Sequence, residues 1–330
     1  MPLSEFEIIA SYFQQAGLSA DASHPNINLG IGDDCALLTV SDGHQMAVSM
    51  DVLVEGVHFP TVADANLLAR RALAVNLSDL AAMGATPLGF MLGLTLPTVD
   101  ENWLAAFAKG LRVSSQQYKC PLIGGNLTRG PLQIAIQVQG QVPTGLALLR
   151  SGAKTGDAVY VSGTCGMAGL ALEWLQGTLL NLSQQQTEVL RAAYYLPEPR
   201  LALGQALRGL ASAAQDVSDG LLADLGHIAR QSKVKIVIQA QAVPLAGMLT
   251  SLKSSTEALQ LALTAGDDYE LIFTAPVECH ERLIIAAARV GVPVSRIGIV
   301  QAGGGVEVLD ATGHAMPITY SGYDHFGIQV

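Results

Sequence analysis

The sequence predicts a two-domain protein of mixed α/β (α+β) layers, and three observations predict it. Short apolar strand patterns alternate with Ala- and Leu-rich helical patterns along both halves. A small polar segment at 150–157 separates the two blocks and places a boundary between residues 1–149 and 150–330. The 330 residues are 50% hydrophobic and 14% charged, against about 25% charged in an average protein. That shortage of charge calls for a large buried core, a buried subunit interface, or both.

Taken in order, Ser4 and Glu7 form a capping box that opens a helix over 4–16, with Phe6, Ile9 and Phe13 on one face. Residues 20–28 are polar and turn-rich, which predicts a loop, and strands follow at 35–40 and 45–52. The stretch 64–83 has a helical pattern, with Gly84 as its stop and Pro87 beyond. The apolar run 88–96 fits a buried strand, and Pro97 and Asp100 introduce a helix to about residue 118. A short strand at 121–123 feeds a turn at Gly124-Gly125-Asn126. Leu132, Ile134, Ile136 and Val138 alternate cleanly along a strand over 132–142. In the second block, strands are predicted at 158–162, 211–216, 234–240, 269–275, 294–300 and 305–309. Helices are predicted at 166–176, 186–194, 199–209, 219–232, 255–263 and 279–290, and Gly303-Gly304-Gly305 reads as a hairpin turn.

The formal net charge is −10, and no basic run is present to neutralise nucleic-acid phosphates. Divalent cations can still bridge an acidic protein to a polyphosphate. The four cysteines (Cys35, Cys120, Cys165, Cys279) are widely spaced, which argues against a zinc site and a disulfide framework. Acid near the N-terminus, where a signal peptide carries base, and the lack of an apolar run of ~18 residues predict a cytoplasmic chain without a membrane span.

The P-loop, the dinucleotide G-x-G-x-x-G opening a helix, the G-x-S-x-G elbow and the H-E-x-x-H helix are all absent. What stands out is aspartate at the edges of apolar segments: Asp33 and Asp34 after Gly30-Ile31-Gly32, then Asp51, Asp79, Asp216 and Asp219. Each alone reads as a turn residue or, for Asp79 and Asp219, a helix N-cap. Together they read as a multi-metal phosphate site, because Mg2+ takes oxygen ligands and shares them with substrate phosphates. Gly125 and Asn126 offer close backbone approach to a phosphate or serve as an ordinary turn. Arg150 reads as a phosphate clamp or a solvated linker residue, and His58 as a site residue or an exposed loop histidine.

The stretches 30–36, 76–85, 124–126, 150–153, 216–220 and 268–271, with Gly322-Tyr323-Asp324-His325-Phe326, closely resemble the thiamine-monophosphate kinase family. The resemblance runs from about residue 4 to 327 and implies ATP-dependent phosphorylation of thiamine monophosphate to thiamine diphosphate with several Mg2+ ions. It implies the fold of aminoimidazole-ribonucleotide synthetase: an N-terminal domain building a β-barrel across a homodimer, and a C-terminal α/β layered domain completing a cleft. Carried over by position, Asp33, Asp34, Ser49, Asp51, Asp79, Asn126, Asp216 and Asp219 are similar to the family's metal set. Gly125, Asn126, Arg150 and Ser218 match its ATP contacts, and His58, Glu270 and Tyr323 its contacts to thiamine monophosphate. No covalent nucleophile is implied. Met50, Asp267, Asn126 and Ala108 depart from the common family residues. Two alternatives are a selenophosphate synthetase-like enzyme, whose reactive Cys and Lys are missing from residues 1–28, and a non-catalytic metal-binding dimer.

Overall fold

The computed structural model describes residues 3–318. The chain divides into two compact units, one of residues up to 80 together with 85–145, the other of 81–84 together with residues from 146 on.

In the first unit, the Ser4 hydroxyl and the Glu7 carboxylate cap each other's backbone and start α1 (Glu5–Ile8). A π-helical turn, Ile9–Phe13, continues it and buries Phe13, so the helix stops short of the expected residue 16. The predicted loop at 20–28 holds through residue 26 and gives way to a short strand. β1 (Ile27–Leu29) pairs antiparallel with β2 (Leu37–Leu38). Polar side chains cross-link the ribbon: Asn26 Nδ2 donates to Thr39 O at 2.7 Å, and Thr39 Oγ1 to Asn28 Oδ1 at 2.7 Å. At the end of this stretch the polar groups hold the two short strands together.

β3 (His44–Val54), α2 (Ala65–Ala82), β4 (Thr86–Leu96), α3 (Glu101–Tyr118), β5 (Leu122–Arg129) and β6 (Gln133–Pro143) complete the unit. The four strands form one sheet in the order β3-β6-β4-β5, with β4 and β5 parallel across α3 and the other pairs antiparallel. Asp100 caps α3 by accepting the Asn102 and Trp103 N–H groups, and Lys119 ends it in a left-handed conformation. Ile134, Ile136 and Val138 are fully buried on the helix-covered face, as the alternation requires. Gly124-Gly125-Asn126 is not a turn; it lies inside β5, in parallel register with Met91, Leu92 and Gly93. Ala108 is buried within α3.

The second unit runs β7 (Ala158–Ser162), α4 (Met167–Leu175), α5 (Gln184–Tyr195), α6 (Leu201–Ala206), β8 (Ala213–Asp216), α7 (Leu221–Ser232), β9 (Lys235–Gln239), α8 (Gly247–Leu252), α9 (Ser255–Thr264), β10 (Leu271–Ala275), α10 (His280–Arg289), β11 (Val294–Gln301) and β12 (Gly305–Leu309). Its six-stranded sheet has the order β12-β9-β11-β7-β10-β8 and is antiparallel except between β9 and β12. The glycines at 303–305 make no hairpin, since β9 lies between β11 and β12. The helix α8 was not foreseen. Tyr160 and Phe273 stack at 5.3 Å in the core on neighbouring strands, an arrangement that adds about 0.5–1.5 kcal/mol to their burial. Among the described residues no helix is long and apolar enough to cross a membrane.

Candidate active site

In the first unit, two side chains of α2 reach the edge strand β3. An edge strand carries backbone N–H groups without a strand partner. Buried Asn76 supplies one: its Oδ1 accepts the Asp51 N–H at 2.9 Å, while its Nδ2 donates to Ala72 O within the helix at 2.9 Å. Three residues on, Asp79 Oδ2 accepts the Ser49 hydroxyl at 2.5 Å. Residues three apart share a helix face, and residues two apart share a strand face. Ser49, Asp51 and Asp79 are thus brought together, all half-buried. Asp51 sits inside β3 and Asp79 in the last turn of α2, so the N-cap reading of Asp79 is excluded.

Asp33 and Asp34 lie exposed in the turn after β1, with Asp33 Oδ1 accepting the Asp34 N–H at 2.8 Å. Cys35 follows them, also exposed. Ile31, at the foot of this turn, lines a cleft with Phe13, Leu92, Gly125 and Asn126. Gly125 has φ +155°, and a Cβ there would meet Leu92 O at 2.0 Å, so only glycine fits this close parallel pairing. β3 and β5 are opposite edges of the sheet, three strand spacings or about 14 Å apart. Strand pairing therefore does not put Asn126 beside Asp51; the oxygen donors of this unit fall into separate groups. His58 closes the turn after β3. Its Nδ1 accepts the Val54 N–H at 3.0 Å, which puts the ring proton of the neutral imidazole on Nε2.

In the second unit, Asp216 is the buried last residue of β8. The loop that follows is zipped to the segment before β10. Val217 N–H donates to Glu270 O, Tyr269 N–H to Val217 O and Asp267 N–H to Ser218 O, at 2.8, 2.8 and 2.9 Å. Gly266 permits this approach, since a Cβ there would lie 2.2 Å from Ser218 O. Asp267 and Tyr269 adopt left-handed conformations, φ +71° and +50°, at a cost of roughly 1–2 kcal/mol each. The Tyr269 hydroxyl donates to Asp267 Oδ1 at 3.0 Å.

Two residues of this region went unnoticed in the sequence. Asp219, Asp224 and His227 bring their ligand atoms within 4.8 Å of one another. Asp224 and His227 are three apart on α7, and that spacing was the available signal. Burial pushes the Asp224 carboxyl up to about 7, and the Asp219 charge adds to it. His227 is held below the ordinary imidazole range by burial, then by Arg230 and Arg150; Arg230 Nη2 approaches its Nδ1 at 2.7 Å. Arg150 is exposed, and its carbonyl accepts the Ser232 hydroxyl at 3.0 Å.

Glu270 is buried and committed. Arg200 donates to both its oxygens, at 2.6 and 2.8 Å, and the Ser162 hydroxyl donates to Oε2. These three donors leave about one acceptor position, on Oε1, for a further contact. Asp268 caps α4 by accepting the Gly166 and Ala168 N–H groups at 2.6 and 3.1 Å; burial raises its carboxyl to about 7. Tyr323 lies outside the described residues.

The family pattern described as AIR synthase related protein, N-terminal domain, matches residues 32–142, and that described as AIR synthase related protein, C-terminal domain, matches residues 154–311. The chain is 44% identical over 328 residues to the thiamine-monophosphate kinase of Salmonella typhimurium, with 99% of both chains covered. A crystal structure of thiamine-monophosphate kinase from Stenotrophomonas maltophilia K279a superposes with a TM-score of 0.82, at 45% identity over 88% of this chain and 92% of that one. AaThiL complexed with AMPPCP and TMP gives a TM-score of 0.76 at 29% identity, covering 87% of this chain and 89% of that one.

Proposed function

The chain belongs to the thiamine-monophosphate kinase family, and from that premise we propose that its phosphoryl transfer is direct, with no phosphoprotein intermediate. It phosphorylates thiamine monophosphate with ATP to give thiamine diphosphate. The observation that supports the direct route is the Ser49–Asp51–Asp79 group beside Asn76, a set of oxygen donors suited to cations that would let one phosphate attack another.

The donor chemistry fits Mg2+: Asp33, Asp34, Ser49, Asp51, Asp79, Asn126, Asp216 and Asp219 all present oxygen. These residues would hold the ions, and bound Mg2+ would offset the repulsion between the acceptor phosphate and ATP. Gly125, Asn126, Arg150 and Ser218 are assigned to ATP. Gly125 gives a backbone unobstructed by a side chain, and Arg150 a planar donor fork. His58, Glu270 and Tyr323 are assigned to thiamine monophosphate, His58 as an Nε2–H donor. A phosphate dianion attacks without a strong base, so no protein group has to remove a proton. The first unit carries metal, ATP and dimer contacts, and the second supplies the remaining donors. Met46, Val48 and Met50 are 44%, 53% and 55% exposed along one face of β3. Such an apolar stripe on an edge strand supports a homodimer with a barrel formed across the two copies. A cytoplasmic location accords with this biosynthetic role.

The test is formation of thiamine diphosphate from thiamine monophosphate and ATP, with thiamine as a control acceptor and labelled ATP to trap phosphoprotein. Product from the monophosphate and no labelled protein is expected; turnover through a labelled chain would sink the direct route.

A further inference from the structure

Asp224 is completely buried on the first turn of α7, five residues past Asp219. Both its carboxylate oxygens are engaged. Oδ1 accepts Gln215 Nε2 at 2.7 Å, and Oδ2 accepts the backbone N–H groups of Ser218 and Asp219, each at 3.0 Å. A carboxylate has about four acceptor positions, and three are filled by protein donors. Its position beside Asp219 and His227 is thus set largely by the protein's own donors.

What it does instead follows from where its partners lie. Gln215 is the residue of β8 that precedes Asp216, and it is 2% exposed. Ser218 and Asp219 form the loop between β8 and α7. Asp224 draws the two loop amides inward, while Ser218 O is fixed from the other side by the Asp267 N–H. The directions in which the Ser218 and Asp219 side chains leave the loop are set by this pair of anchors. We propose that Asp224 is a positioning residue of the phosphoryl-transfer site, holding Ser218 and Asp219 in place for the nucleotide and its cation without touching either. The inference rests on the assignment of Ser218 and Asp219 made above.

The buried environment supplies a discriminating variant. Gln215 Oε1 is buried and has no hydrogen-bond partner among the described residues. In Asp224→Asn, the new Oδ1 can take both loop amides, and the new Nδ2 can donate to Gln215 Oε1 once that amide turns over. The hydrogen-bond pattern survives while the charge is lost. Asp224→Ala removes the anchor altogether.

Two readouts apply: amide hydrogen exchange at Ser218 and Asp219 in metal-free protein, and the Mg2+ concentration needed for half-maximal AMPPCP binding by calorimetry. Asp224→Asn should keep both amides protected and leave the Mg2+ requirement within about threefold of the original. Asp224→Ala should expose both amides and raise the requirement about 10–100-fold, the usual cost of losing a group that orients a ligand. Loss of binding in Asp224→Asn with its loop amides still protected would make the charge itself the requirement and overturn the inference. Where Asp224→Ala does not fold, Asp224→Ser, whose shorter side chain keeps a polar atom but draws back from the loop amides, takes its place: both amides should lose protection and the Mg2+ requirement should rise, and unchanged values overturn the inference. Unchanged exchange and binding in a folded Asp224→Ala would overturn it as well. Asp219→Asn runs alongside. If that variant binds Mg2+ and AMPPCP normally, the metal assignment falls and this inference with it; if only the Asp224 variants behave normally, the inference falls alone.

Discussion

Asp33 and Asp34 stand in water on a glycine turn, one carboxylate accepting the next residue's N–H, whereas Asp224 and Glu270 are buried and Asp268 half-buried, and they accept hydrogen bonds from a strand side chain, a helix end and an arginine. The first unit leaves these two acids in water with a local backbone contact between them. The second organises its acids from within, using backbone amides and Arg200. Charge in water costs little and binds loosely; charge under cover costs several kcal/mol unless paired, and is then rigid. The same residue type therefore lies open to water in one unit and serves as a hydrogen-bonded brace in the other.

The contrast can be broken most forcefully at Arg200. Arg200→Ala strands a buried carboxylate and should lower unfolding free energy by about 3–5 kcal/mol, measured by chemical denaturation; a change below 1 kcal/mol would deny Glu270 its role as a brace. Next in size, Asp219→Asn should lower turnover by about 10²–10³-fold at ordinary Mg2+, the scale of losing one charge-stabilising group, with Asp216→Asn close behind. Steady-state rates across a Mg2+ titration check this, and undiminished turnover removes both from the metal set. A smaller effect concerns pH. The Asp268 carboxyl is raised by burial from 3.8 to about 7. Between those values the folded chain holds a proton that the unfolded chain has released, so its contribution to stability grows as pH falls from about 7 toward 4. Thermal melts of metal-free Asp268→Asn should rise less over that window than melts of the original protein; equal slopes refute the buried-acid picture. Smallest is Asp34→Asn, which should leave melting within the ±0.5 kcal/mol of ordinary surface changes while raising the Mg2+ requirement about tenfold. A large fall in melting temperature would mean that the exposed acids brace the fold too.

Residues whose periodicity and burial agree were legible in the sequence. Ile134, Ile136 and Val138 alternate and are buried, and Ser4 with Glu7 caps α1 as its spacing requires. The aspartates stood out in the sequence as carboxylates at the edges of apolar segments. Their local settings were not. Asp79 looked like a cap and lies within α2, because its partner Ser49 comes from a strand thirty residues earlier. Gly124-Gly125-Asn126 looked like a turn and is strand, because Gly125 answers to Leu92 O on a neighbouring strand rather than to a bend of its own chain. Glu270 gave no sign of its pairing with Arg200, which spans seventy residues. Asp224 was overlooked because a buried acid inside an amphipathic helix looks no different in one dimension from a solvated one. Local pattern reports on backbone propensity; these four answers depend on long-range partners.

The placement of the thiols gives this chain a built-in reporter. Cys120 and Cys165 are buried, and burial lifts both thiols well above their ordinary range; Cys35 is exposed directly beside Asp34, and Cys279 is intermediate. Thiolate is the form that an alkylating dye attacks. In a Cys279→Ser background such a dye marks the chain at one place, next to the acids with the least support from the protein. With the metal assignment proposed above, fluorescence from that position would follow cation entry at the Asp33–Asp34 turn separately from turnover; a signal unmoved by Mg2+ would count against that assignment.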